Sequence, residues 1–154
     1  MAIGTDKGSY ILVLGLPERR KIITGSLGSI DFEEGNYAYV GSALGGLESR
    51  LNRHLRSNKK LHWHIDYLLQ EASVSSIIIC RTDKRIECTI ARILSRQFES
   101  INNFGSSDCR CPSHLFYSSG DMAVEIMTAL YELGMKPELR EVTAVKIGCN
   151  NGVY

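Results

Sequence analysis

The stretch NYAYVGSALGGLESRLNRHL, residues 36–55, contains a strand, a glycine-bearing hinge and a helix in immediate succession. Residues 36–40 alternate as a strand does, putting Tyr37 and Tyr39 on one face and Ala38 and Val40 on the other. The small-residue loop 41–46 follows. Beyond it Leu47, Leu51 and Leu55 recur every fourth position and make the apolar stripe of a helix. At about 100° per residue, Arg50 and His54 border that stripe, Arg56 points away, and Arg53 is more exposed. Such a helix must bury its stripe on a sheet, and the tyrosine strand just before it is the nearest sheet available.

The pattern continues outward on both sides. Upstream, YILVLGL (10–16) reads as a buried strand and 17–20 as the turn after it. Residues 21–24 and 29–32 then pair as a hairpin across 25–28. Downstream, 61–72 reads as a helix with Trp63 and Tyr67 inward, and VSSIIIC (74–80) as a strand. Residues 85–98 read as a helix with Ile86, Ile90, Ile93, Leu94 and Gln97 along one side and Glu87 in its first turn. A loop over 102–108, a strand over 113–118, a capped helix over 121–134 and a final strand over 140–147 complete the chain.

At 154 residues the chain is long enough to bury one substantial core. No apolar run approaches the roughly 20 residues of a membrane helix, and the first residues lack the pattern of a secretory signal. Five cysteines without such a signal are expected to be reduced thiols in the cytoplasm. The net charge of +1 excludes a dominant basic field, yet its distribution is uneven. Between 49 and 65 there is no acidic residue, while Arg50, Arg53, Arg56, Lys59 and Lys60 fall there with His54, His62 and His64. This strip is either a solvated surface or a phosphate-binding one.

The tyrosines favour phosphate. Gly8-Ser9-Tyr10, Tyr39-Val40-Gly41 and Arg50 with His54 bring a phenol pair, a guanidinium and an imidazole together in order. Arginine grips phosphate through its planar fork, and tyrosine or histidine can move a proton. Taken singly, each residue has an ordinary structural role: strands favour tyrosine, and a glutamate early in a helix suits the macrodipole.

The ordered set, ending in a helix that opens with Glu87, resembles the GIY-YIG nuclease superfamily. The stretches YAYVGSA, LHWHIDYLL and FGSSDCRCPSHLFY resemble more closely a small archaeal and bacterial subfamily of it. The resemblance covers 7–117 and leaves 118–154 as a C-terminal helix–strand extension. It implies an α/β (α+β) fold, a small antiparallel sheet flanked by helices, here with an added hairpin. It also implies hydrolysis of DNA phosphodiesters with Mg²⁺ or Mn²⁺. Carried over by position, Tyr10 and Tyr39 match the motif tyrosines, Arg50 the catalytic arginine and His54 the residue one turn later. Glu87 matches the metal-binding glutamate. Arg53, Arg56, Lys59 and Lys60 are then the expected nucleic-acid contacts. Three features depart from the pattern. Ser9 replaces a branched apolar residue, the gap between the tyrosine motifs holds a hairpin, and the asparagine beyond the glutamate is either Asn102 or Asn103. These departures keep open a nucleic-acid-binding module without turnover.

Cys109, Cys111 and His114 form a second constellation that could offer three zinc ligands, with Asp108, Cys80 or Cys88 as a fourth. The Cys-x-Cys-x2-His spacing matches no standard zinc finger, so a reduced, metal-free loop beside the active face is expected, with a zinc-stabilised interaction protein as the rival. His62 and His64, two apart at a helix start, do not share a face, and are expected to meet solvent or substrate.

Overall fold

The computed structural model describes residues 6–106 and 109–142. Its strands and helices follow in the order β1 (Gly8–Leu16), β2 (Arg20–Ile23), β3 (Ser29–Phe32), β4 (Gly35–Ala43), α1 (Leu47–Leu55) and α2 (His64–Leu68). Then come β5 (Ser73–Arg81), α3 (Glu87–Leu94), β6 (Glu99–Ser100), β7 (Leu115–Ser118), α4 (Ala123–Glu132) and β8 (Glu138–Glu141). Six strands make one sheet in the order β6-β7-β4-β1-β5-β8, every pair antiparallel, and β2 and β3 form a separate hairpin. The fold is thus the mixed α+β architecture expected. No helix among the described residues is long and apolar enough to cross a membrane.

Strand alternation divides the core in two. Tyr10, Leu12, Leu14, Tyr37, Tyr39 and Ile79 face a layer built from α1, α2, the hairpin and Phe104. Ile11, Val13, Ala38, Val40, Ile78 and Cys80 face α3 and α4, whose Ile90, Leu94, Ile126 and Leu130 are fully buried. The residues of α4 therefore belong to the same core, and β8 extends the same sheet beside β5. The expected strand over 140–147 is seen as Glu138–Glu141, ending before Val142, and residues 143–147 lie outside the described residues.

Three expectations of detail change. Leu55 does not join the stripe of α1: it is 45% exposed, while His54 is 2% exposed and takes its place after Leu47 and Leu51. Both positions lie close to the stripe in angle, and the tyrosine strand beneath decides between them. The helix expected over 61–72 shortens to His64–Leu68, because Trp63 is extended and leads into a cap made by Asp66. The helix expected over 85–98 likewise shortens to Glu87–Leu94.

Candidate functional site

Tyr10 and Tyr39 sit on neighbouring strands but not opposite one another: Tyr10 faces Gly41 across the ladder, and Tyr39 faces Leu12. The pairing explains the glycine after Tyr39. A Cβ at Gly41 would collide with the ring and hydroxyl of Tyr10, so the bare backbone there lets the phenol lie across β4. Gly105, at φ 69°, performs a similar service for Tyr39, whose ring edge would be 2.9 Å from a Cβ there.

Tyr10 Oη lies 2.6 Å from His54 Nε2, a hydrogen bond whose donor depends on the imidazole tautomer. Burial pushes the His54 pKa down to about 3, helped by the neighbouring Lys59 charge, so the ring is neutral. Burial also raises the Tyr10 and Tyr39 phenols above their ordinary value, in both cases against the field of Arg50. All three groups are therefore uncharged at neutral pH, and their polarity is directional rather than ionic.

The arginines of α1 part company. Arg50 donates to the Ser42 carbonyl at 2.8 Å and lies 4.7 Å over the Trp63 ring, which fixes its guanidinium at the mouth of the tyrosine pair. Arg53 lies 4.3 Å over Trp63 and makes two 3.0 Å bonds to the carboxylate of Asp66. Asp66 is fully buried and also accepts from the amides of His62 and Trp63. Burial opposes its charge, and Arg53 with those two amides more than offsets it, leaving its carboxyl below the ordinary value.

A cleft of about 400 Å³ opens over these groups, lined by Tyr10, Tyr39, Gly41, Ser42, Arg50, His62, Trp63, His64, Arg85, Glu87 and Gly105. The body of α3 packs on the far face of the sheet, and only its first turn reaches this cleft. Four elements thus deliver Tyr10, Tyr39, Arg50 and Glu87 to one concavity, with His54 directly behind Tyr10. Among the described residues Glu87 is the one carboxylate lining the cleft, a hard oxygen ligand of the kind a divalent cation retaining most of its water takes, while the two guanidinia, which cannot ligate a metal, are suited to an anion such as phosphate.

The basic strip does not stay together. Arg53 holds Asp66, and Lys59 bonds the carbonyls of Arg53 and His54 at 3.2 and 2.8 Å, closing the end of α1. Arg56 and Lys60 remain exposed. Arg53 and Lys59, expected as nucleic-acid contacts, thus have partners within the fold. Neither Asn102 nor Asn103 lines the cleft. Ser9 is buried, its hydroxyl without a hydrogen-bond partner among the described residues.

One charged group of the lining was not singled out from the sequence. Arg85 lies just ahead of α3, where a lone arginine carries no pattern. His64 accepts the Gly105 amide on Nδ1 at 3.0 Å, and burial lowers its pKa, so the neutral ring keeps its proton on Nε2. The substrate-contact reading of His62 and His64 was the only sequence signal for this side of the cleft.

The second constellation also assembles. Cys88, from the first turn of α3, joins Cys109, Cys111 and His114, and one ligand atom from each lies within 4.8 Å of all the others. Of the three candidates for a fourth member, Cys80 is instead in the core beneath α3 and α4, and Asp108 lies outside the described residues. Burial and the neighbouring thiols push the Cys111 thiol up to about 12, and burial also raises Cys88.

Fold and cleft together define an α+β domain with a polar, arginine-flanked concavity at one end of an antiparallel sheet. The family model described as a domain of unknown function, DUF123, matches residues 9–135, and the chain belongs to that family. No curated protein and no solved structure matches the chain.

Proposed function

We propose that this protein is a GIY-YIG-type endonuclease that hydrolyses DNA phosphodiester bonds in the cleft, with Mg²⁺ or Mn²⁺. The observation that carries the reading is the convergence of Tyr10, Tyr39, Arg50 and Glu87 from four separate elements on one concave surface. Each matches a position of the superfamily's motif, and each alone would pass for a packing residue. Glu87 is the residue that would hold the cation, which when bound supplies positive charge at the phosphoryl oxygens and lowers the pKa of a water in its shell.

The remaining work belongs to the chain's own groups. Arg50, held by the Ser42 carbonyl and Trp63, presents its free N–H groups to a phosphate without reorganising. Arg85 adds a second positive charge to the lining of the cleft. A histidine with a pKa near 3 is too weak a base to take the proton of a phenol, so His54 is a positioning residue: its neutral ring pins the Tyr10 hydroxyl. Tyr10 and Tyr39, both protonated, then orient an attacking water or a phosphoryl oxygen through hydrogen bonds.

The test is incubation of the purified chain with supercoiled, linear duplex, branched and single-stranded DNA, with Mg²⁺, with Mn²⁺ and with chelator. Metal-dependent cleavage is expected on at least one substrate. Arg50→Ala should lower its rate on the order of 10²–10³-fold, the typical cost of one preorganised donor. DNA binding without cleavage on every substrate would replace this reading with the non-catalytic module, and cleavage unaffected by Arg50→Ala would remove the cleft from the mechanism.

A further inference from the structure

We propose that Cys88, Cys109, Cys111 and His114 form a structural zinc site that locks the first turn of α3 to the loop preceding β7. The inference does not depend on the nuclease reading, because it concerns a separate cluster behind the cleft wall.

Geometry carries it. Tetrahedral zinc, with Zn–S near 2.3 Å and Zn–N near 2.0–2.1 Å, sets its ligand atoms about 3.5–3.8 Å apart. His114 Nε2 is 3.5 Å from Cys109 Sγ and 3.9 Å from Cys88 Sγ, and no pair in the set exceeds 4.8 Å. The four donors therefore surround a common point already, and small side-chain movements complete a tetrahedron. Three thiolates and one imidazole are a donor set that selects zinc over magnesium or calcium. All four positions are filled by protein, which leaves none for water or substrate. The site is therefore structural.

The outer shell is also in place. His114 is buried, and its other ring nitrogen, Nδ1, faces Glu87 Oε2 at 3.7 Å. Zinc-bound histidines direct this second nitrogen at a carboxylate or carbonyl, which fixes the ring and raises its basicity. The loop itself is anchored: the His114 amide donates to Phe104 at 2.8 Å, and its carbonyl accepts from Val40 at 2.9 Å. Zinc would thus join the segment that carries Arg85 and Glu87 to the loop that carries Gly105.

The experiment uses the full chain, freed of any histidine tag and purified with reductant. Elemental analysis is expected to give about one zinc per chain. Cobalt added to reduced apoprotein should develop the visible bands of a tetrahedral site together with sulfur-to-cobalt charge transfer. Cys88→Ser, Cys109→Ser and Cys111→Ser should each lose the zinc, and Cys80→Ala should keep it. Strong chelator should lower the thermal midpoint of the wild-type protein. Should the serine variants fail to fold, the wild-type zinc content and cobalt spectrum decide alone. Less than about a tenth of an equivalent of zinc with no thiolate–cobalt absorption overturns the proposal. So does full retention of zinc in folded Cys88→Ser.

Discussion

Lowering the pH tests the interior of this protein through His54. Its imidazole is almost wholly buried, and burial, Lys59, Arg50 and Arg53 all oppose a positive charge there, with only Asp66 favouring one. Its pKa accordingly falls from 6.5 in the unfolded chain to about 3 in the folded one. The unfolded state thus binds a proton that the folded state refuses. The stability supplied by His54 is complete above about pH 6.5 and drains away as the pH falls toward 3. At pH 5 the gap is 1.5 units below the unfolded value, and at about 1.4 kcal/mol per unit the loss relative to pH 7.5 is about 2 kcal/mol. That is a large part of a typical domain's 5–15 kcal/mol. Urea unfolding at pH 7.5, 6 and 5 measures it, followed by the fluorescence of Trp63, the sole tryptophan. His54→Phe will be less stable at pH 7.5, since it strips Tyr10 of its partner, but its loss between pH 7.5 and 5 should be smaller by about 2 kcal/mol. His64, also lowered by burial, contributes in the same sense to both proteins and cancels in the comparison. Equal pH dependence in the two proteins would refute the argument that His54 is held neutral.

Gly41→Ala should cost about 1–3 kcal/mol by forcing the Tyr10 ring from β4, and near-ultraviolet circular dichroism with urea unfolding would register both effects; full native stability would contradict the packing. Asp66→Ala should destabilise by about 3 kcal/mol, the low end for a broken buried ion pair because Arg53 keeps some solvent, and unchanged urea unfolding would count against it. In DNA binding, Arg56→Ala with Lys60→Ala should make the log–log salt slope shallower by up to about 2 units, and an unaltered slope would return both residues to the solvated surface. Glu87→Gln should weaken zinc retention about 10–100-fold against a competing chelator, and unchanged retention would remove Glu87 from the His114 shell.

What the sequence discloses of this fold is what alternation encodes. The strands 10–16, 36–40 and 74–80 are bounded correctly to within a few residues, because a period of two admits only one division of their side chains between faces. The hairpin and the last helix follow from glycines and caps in the same local way. What escapes is decided by contacts distant in sequence. His54 rather than Leu55 goes inside because Tyr10 offers a hydrogen bond that leucine could not use. Arg53 looks like a free cation until Asp66, beyond the next loop, claims it. Residues 61–63 satisfy helical spacing, but His62 and Trp63 feed their amides to the Asp66 carboxylate instead. Cys88 carries no motif of its own, and only the docking of α3 against the loop before β7 brings its thiol to Cys109 and Cys111.

Glu87 is where these lines meet. It opens α3 where the helix dipole favours its charge, it lines the cleft with Tyr10 and Tyr39, and it approaches His114 from the opposite side. A carboxylate has two oxygens and can serve two neighbours, so the proposed cation in the cleft and the proposed zinc behind it need not compete for it. They would be coupled through it. Filling the Cys₃His cluster would fix His114, His114 would hold the Glu87 side chain, and Glu87 would then present its remaining lone pairs to the cleft at one orientation. On this argument zinc does no chemistry, yet its removal should weaken Mg²⁺ or Mn²⁺ dependence before it unfolds the chain. The apparent metal constant for cleavage would rise in Cys111→Ser while Arg50 stays in place. If partially zinc-depleted protein instead loses cleavage only in proportion to the fraction unfolded, the two sites share a residue without sharing a function.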